Sequence, residues 1–415
     1  MIFDYLRRLL LINLVSYKMN ILFLFVSLQD LSTGNGIFAS LINEFHKNGH
    51  SVFVSAKGRD SQQTHVSVEN GIKVLRIKSH EFTGVQSSIK KALAYQEYVL
   101  KQTYLTKKYF ANEKFDVIIS HSLPPELAFI FAQLKRTYKC PLYLIQTDFI
   151  WQDAVAFGYF SKNSPVALYY RFWERQLFKT ADYIACPTLG NISFIKQYYP
   201  SIDDSKFRFL PFWQKPIALH IDINLKEQYG FKNKFVVVYG GSVGAAQRVE
   251  HLVELAESCQ EYDDIVFVVL GKGAHLGFIQ NMVRDKQLKN VIFKEFMPQD
   301  EYLQFLSSCD VGMIILHEKM ATPNFPSKSL SYLNMKVPIL AALDHTTDFG
   351  EYLESNNAGL WGYSDDIATL KKKLLMYYAS SELRNQVKEN GYKLFMNNMT
   401  PEHAYRTIIS DFIDE

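Results

Sequence analysis

Cysteine is scarce in this chain: Cys140, Cys186, Cys259 and Cys309 lie far apart and form no C-x-x-C pair. That spacing offers neither a disulfide framework nor a zinc site, so reduced thiols in or beside strands are expected. Charge of one sign is missing as well, since 45 Lys and Arg against 42 Asp and Glu leave a formal charge of +3. Such a balance excludes the basic footprint of a nucleic-acid-binding protein. No apolar run reaches the roughly 18 residues needed to span a bilayer. No turn carries the full G-x-G-x-x-G fingerprint, so neither a nicotinamide nor a flavin cofactor is indicated, and no cluster of side chains points to a metal. There is no low-complexity tract. What remains is globular in composition, 48% hydrophobic and 21% charged over 415 residues. That length accommodates two or three domains of ~150 residues, each with a full core.

The clearest positive feature is a word written twice. A short apolar strand, Ile21 to Val26, leads to Gly34-Asn35-Gly36, then to Ile37, Phe38, Leu41, Ile42 and Phe45 on one helical face, with Gly49 as the stop. About two hundred residues later Phe235 to Tyr239 leads to Gly240-Gly241-Ser242-Val243-Gly244, then to Val249, Leu252, Val253 and Ala256. Each copy reads as the opening βα unit of a doubly wound sheet, where backbone N–H groups at a helix start can meet an anion.

Between and beyond these words, strands and helices alternate as parallel sheets require. In the first half, strands are expected at Ser51–Ser55, Ile72–Ile77, Val117–Ser120, Leu142–Gln146, Tyr183–Cys186 and Phe207–Leu210. In the second half they are expected at Phe235–Tyr239, Ile265–Leu270, Val291–Phe293, Val311–Leu316 and Ile339–Ala341. The pattern divides the chain into an N-terminal extension (1–18), a first α/β domain (19–215), a second (216–399) and a last helix (400–415) that returns to the first domain. Thr400 and Pro401 suit the N-cap and first position of that helix. The extension has three readings: an interfacial helix with arginines flanking an apolar stretch, a signal peptide without a small-residue cleavage site, or residues preceding a true start at Met19.

Several words fall in order on this frame: Gly34-Asn35-Gly36, Gly49-His50-Ser51-Val52, Thr147-Asp148-Phe149-Ile150-Trp151, Leu210-Pro211-Phe212-Trp213, Gly241 to Gln247, and Pro326-Ser327-Lys328-Ser329-Leu330-Ser331-Tyr332. Together they resemble the GT-B glycosyltransferases, in particular the retaining, family-4-like branch that builds bacterial capsule and exopolysaccharide. The resemblance implies two Rossmann-like doubly wound domains facing across a cleft. It implies a nucleotide-diphosphate sugar, a UDP-sugar, held by the C-terminal domain without a metal or other cofactor. The acceptor, a glycan or lipid-linked oligosaccharide, would arrive from the N-terminal domain. A donor phosphate oxygen would take the acceptor proton, leaving the protein to supply position and charge stabilisation.

Candidate residues follow from the strand ends and from this likeness. Gly241 and Ser242 open the donor domain where phosphates bind in doubly wound sheets. Gly271 and Gly273 form a second glycine turn similar to the family's nucleotide-side turn, and Gly34 and Gly36 allow close backbone approach to phosphates. Lys328 could meet the diphosphate, with Ser327 as an N-cap-like oxygen and Ser331 toward a ribose. Asp148 and His121, near strand ends, are candidates for binding or orienting the acceptor, whereas His50 reads as a packing residue. Two departures from the family matter. Its glutamate pair is replaced by Pro323 and Ser331, and its phosphate-binding basic residues by Ser242 and Gln247, with Arg248 adjacent. They keep open a non-catalytic scaffold subunit and a nucleotide-sugar epimerase as alternatives. The expected helix Ser87–Phe110 buries Ile89, Leu93, Val99 and Leu100 and offers Lys90, Lys91, Lys101, Lys108, Tyr95, Tyr98 and Tyr109 elsewhere. This is either a solvated face or one that meets anionic lipid at the cytosolic side of the plasma membrane.

Overall fold

The computed structural model describes residues 18–34, 36–58, 63–79, 88–217, 225–295 and 297–413. Two sheets organise these residues. The first is built from β1 (Asn20–Leu24), β2 (Ser51–Lys57), β3 (His65–Glu69), β4 (Ile72–Ile77), β5 (Val117–His121), β6 (Leu142–Ile145), β7 (Tyr183–Cys186) and β8 (Phe207–Phe209). Its spatial order is β3-β4-β2-β1-β5-β6-β7-β8, and every pairing except β3 with β4 is parallel. The second contains β9 (Phe235–Ser242), β10 (Ile265–Lys272), β11 (Val291–Lys294), β12 (Val311–Ile315), β13 (Ile339–Leu343) and β14 (Gly359–Tyr363). Its order, β11-β10-β9-β12-β13-β14, is parallel throughout. Strand order therefore reverses between β1 and β5 in one sheet and between β9 and β12 in the other. In such sheets, ligands bind outside the carboxyl ends of the strands at these points.

Burial explains why these strands read as continuous apolar runs. Successive residues of β1 point to opposite faces, so Leu22 and Leu24 enter one core while Ile21 and Phe23 enter another. The second sheet packs Phe235, Val237 and Tyr239 against Leu252, Val253 and Ala256 of the helix Glu250–Ser258. All four cysteines are free and buried.

The chain forms two compact units, one ending at Trp213 and regaining the segment from Pro401, the other spanning Gln214–Thr400. The helix Pro401–Ile413 places Ala404, Tyr405, Ile408 and Ile409 in the core on one face of the first sheet. His50 joins it there: its Nδ1 accepts the Met19 N–H at 3.2 Å, and its Nε2 lies 3.0 Å from the Tyr405 hydroxyl.

Four sequence expectations need correction. The hairpin strand β3 was not expected, although Asn70-Gly71, both at positive φ, forms the two-residue turn that favours hairpins. Edge strand β14 escaped because its run, Gly359–Tyr363, carries glycine at two of five positions. Strand β9 continues through Gly240 and Gly241 to Ser242 and does not stop at Tyr239. In the helix Ser88–Tyr109, Tyr98 is buried and donates to the Phe25 carbonyl, whereas Leu100 is 56% exposed. The side chains of Ile89, Lys90, Lys91 and Leu93, like the N-terminal extension up to residue 17, lie outside the described residues. None of the described helices is long and apolar enough to cross a membrane.

Candidate functional site

At the carboxyl ends of β9 and β10 lies a recess of about 440 Å³. Gly241, Ser242, Gly271, Ser327, Lys328 and Ser331, all singled out in the sequence, line it together. The strand ends reach this closeness because glycine leaves room. Gly271 pairs with Gly241 and Lys272 with Ser242. A Cβ on Gly271 would strike the Gly241 carbonyl oxygen, and one on Gly273 the Val243 carbonyl. Gly241 has φ +119, outside the range of side-chain-bearing residues, and a Cβ there would come 2.9 Å from Lys328 Cε. Lys328 thus lies across the bare backbone of Gly241, with its ammonium 4.8 Å from the centroid of the Tyr239 ring. The Tyr239 hydroxyl donates to the Ser242 carbonyl at 2.6 Å and fixes the strand end.

Burial removes part of the water around the Lys328 ammonium and brings its pKa down to about 8. An anion beside it would favour the charged form. Ser331 Oγ donates to Gln214 Oε1 at 3.4 Å. Asn334, on the same short helix Lys328–Asn334, holds the incoming segment by donating to the Lys215 carbonyl and accepting from the Ile217 N–H.

Several expected details are corrected. Ser327 makes no capping hydrogen bond, because its backbone is already helical. The helix after the glycine turn does not begin there. A 3₁₀ turn, Ala245–Gln247, and Arg248 in the left-handed region intervene, and the helix starts at Glu250. Arg248 is not among the described residues lining the recess; it pairs with Glu318, whose other carboxylate oxygen lies 3.1 Å from His251 Nε2. Gly273 adjoins the recess through backbone packing and not as a lining residue. Lys272, Gln299 and Tyr302, which are not among the sequence candidates, also line it. Lys272 was legible as a cation between two glycines at a strand end. Tyr302 was not, since its ring reaches the site only by packing over Gly240, where a Cβ would meet its hydroxyl.

The remaining candidates belong to the first unit. Gly34, at φ +61, closes a 3₁₀ turn, and Gly36, at φ +93, precedes the helix Ile37–Lys47. Their loop is moored by Arg76, whose guanidinium donates to Glu69 at 2.7 and 2.6 Å and to the Leu28 and Gln29 carbonyls. Glu69 in turn accepts the Leu31 N–H at 3.1 Å. His121, at the end of β5, lines a separate recess of about 500 Å³ at the strand-order reversal of the first sheet. Its ring stacks on Phe25 and Phe38, each with centroids 5.3 Å away, and burial lowers its pKa to about 4, so it is neutral. Asp148 lines neither recess. By surface area it is exposed, while surrounding protein desolvates the carboxyl and raises its pKa; the exposure is the better guide to what a ligand could reach. The nearby Trp151 is structural: its indole N–H donates to buried Glu174 at 2.9 Å, as do Gln152 and Tyr199. Among the described residues, no cluster of three or more His, Cys, Asp or Glu has the arrangement of a metal site.

Two α/β sheets of this order, parallel except for β3 with β4 and with a glycine-lined recess on the second, are the GT-B fold. Residues 222–394, within the second unit, match the family described as Glycosyl transferases group 1. The chain is 22% identical over 123 residues to WcaI of Escherichia coli (strain K12), named as a colanic acid biosynthesis glycosyl transferase; the match covers 30% of each chain. It thus spans less than a third of that relative's length. Among solved structures it is similar in fold to sucrose-phosphate synthase from Thermosynechococcus elongatus, with a TM-score of 0.73, 13% identity and coverage of 95% of this chain and 98% of the other. HepE from Anabaena, in complex with UDP-glucose, gives a TM-score of 0.68 at 14% identity, covering 96% of this chain and 100% of HepE.

Proposed function

We propose that the protein is a retaining, metal-independent glycosyltransferase that moves a hexosyl or N-acetylhexosaminyl group from a UDP-sugar to a glycan or polyprenyl-linked acceptor, in bacterial cell-surface polysaccharide synthesis. The observation that carries this reading is the meeting of Lys328, Lys272 and the side-chain-free backbone of Gly241 in one recess at the ends of β9 and β10. Two cations beside a stretch of backbone without a Cβ suit a diphosphate, which needs positive charge and close approach. The group 1 domain supports the donor assignment, and the UDP-glucose complex of HepE supports the choice of nucleotide. The likeness to WcaI supports a place in polysaccharide synthesis, capsule or exopolysaccharide.

In this reading the second unit binds the donor and the first the acceptor, with Asp148 and His121 orienting it. The acceptor O–H bond breaks and its proton passes to a donor phosphate oxygen. The bond from the anomeric carbon to the leaving oxygen breaks, and the bond to the acceptor oxygen forms on the same face. Lys328 and Lys272 stabilise the charge that grows on the departing nucleotide diphosphate. Ser331 approaches the ribose. A peripheral station at the inner face of the plasma membrane fits a polyprenyl-linked acceptor; flotation with anionic vesicles but not neutral ones is the expected result.

The test is release of nucleotide diphosphate from a panel of nucleotide sugars, with and without glycan acceptors. Acceptor-dependent release is expected. Conversion without an acceptor would identify an epimerase. The engagement of Arg248 by Glu318 favours one other reading, a subunit that binds nucleotide or glycan without turnover; binding with no release under any combination would establish it.

A further inference from the structure

The recess of the first unit, at the ends of β1 and β5, differs in chemistry from the lysine-bearing one. Glu126 is the one charged residue among the described residues lining it, in company with His121, Tyr95 and Tyr170. Glu126 is 4% exposed. Its Oε1 accepts from the Tyr169 hydroxyl at 3.0 Å, and that hydroxyl is held by Gln96 Nε2 at 2.6 Å. Its Oε2 has no hydrogen-bond partner among the described residues. A buried carboxyl oxygen left without a donor is costly, and the cost is relieved when a ligand supplies one. Burial, then hydrogen bonds from its own backbone and from Tyr169, act on this carboxyl, with a net upward shift. Its charge reaches Tyr95 and Tyr170, whose hydroxyls are pushed up by burial and by Glu126 and so remain protonated donors. His121 adds another donor. Its Nδ1 accepts the Leu123 N–H at 3.1 Å, which assigns the proton of the neutral ring to Nε2.

One acceptor, several neutral donors and apolar faces from tyrosine and proline match a ring that bears hydroxyls and no charge. Among the described residues lining the recess there is no cation, so a phosphate or carboxylate would meet Glu126 with nothing there to offset the repulsion. We infer that this recess binds an uncharged sugar ring, one of whose hydroxyls donates to Glu126 Oε2, and that Glu126 selects against rings presenting a phosphate or carboxylate at that position. Naming this sugar as the acceptor rests on the glycosyl-transfer reading; the sugar site itself does not.

The experiment uses the full chain without nucleotide. Saturation-transfer NMR is run with neutral methyl pyranosides, their 6-phosphates and the matching uronic acids. Binding of at least one neutral glycoside, and of none of its charged counterparts, is expected. Glu126→Gln should weaken the neutral ligand about tenfold, the loss of one charge-assisted hydrogen bond. The same variant should admit the charged counterparts, while UDP binding stays as in the wild type and reports intact folding. Equal binding of neutral and charged rings by the wild type overturns the inference. So does the failure of every neutral glycoside, or unchanged affinity in Glu126→Gln. Glycoside binding that obeys these rules in a protein that never binds UDP would leave the sugar site standing and defeat the transfer reading.

Discussion

The two glycine turns, one per unit, occupy equivalent places in their sheets and are held by opposite means. In the first, Gly34 has open space where a Cβ would sit, and the loop is moored from outside by the ion pair of Arg76 and Glu69. In the second, backbone meets backbone: Gly271 and Gly273 abut the carbonyls of Gly241 and Val243, and the side-chain tie, from the Tyr239 hydroxyl to the Ser242 carbonyl, comes from the strand itself. A moored loop can change composition as long as its mooring holds. A turn packed on its own backbone tolerates no added atom. The recesses beside them follow the same division, one presenting lysines over bare backbone, the other a carboxyl among tyrosines.

The contrast can be broken most forcefully at the mooring. Arg76→Met leaves Glu69 with an unpaired charge in a site where its side chain is 11% exposed, and a loss of about 3–5 kcal/mol in urea denaturation is expected. Glu69→Gln in the same chain should restore much of it; a loss under about 1 kcal/mol would mean that the pair does not moor the loop. Next comes Gly271→Ala, which must push β9 and β10 apart and should cost about 3 kcal/mol together with nucleotide binding.

Lys328→Ala should lower kcat/KM for the donor about 100-fold without moving the melting temperature, because a desolvated ammonium adds charge and not stability. Its pKa of about 8 gives the sign of the pH dependence. The ammonium is charged below that value and neutral above it, so donor kcat/KM should fall about tenfold between pH ~7 and pH ~9. Lys328→Arg should flatten the profile, since guanidinium stays charged; a flat wild-type profile would remove Lys328 from the diphosphate. The smallest effect is expected at Gly34→Ala, where only the left-handed backbone resists, at about 1 kcal/mol. A penalty equal to that at Gly271 would erase the distinction between the turns.

Much of the fold was legible because burial on both faces writes parallel strands as apolar runs and their helices as periodic stripes. The turn Asn70-Gly71 announced β3, yet a five-residue strand with three polar positions, His65–Glu69, does not declare itself without its partner. Of the residues lining the recess of the second unit, Gly241, Ser242 and Gly271 could be read from position after a strand, whereas Lys328 and Ser331 were singled out through the family resemblance. Arg248 could not be set aside until Glu318, distant in sequence, was seen beside it. Glu126 gave no signal in a sequence where its neighbours are Pro124, Pro125 and Leu127.

By itself the sequence determined the two doubly wound sheets and the glycine turns that close their strands, because periodicity and backbone freedom are local properties of the chain. Tertiary structure decided which cation faces the recess, which is neutralised by a carboxylate, and which carboxyl lacks a partner. Those outcomes depend on distances between residues far apart in the chain, and electrostatics and hydrogen bonding are settled by distance.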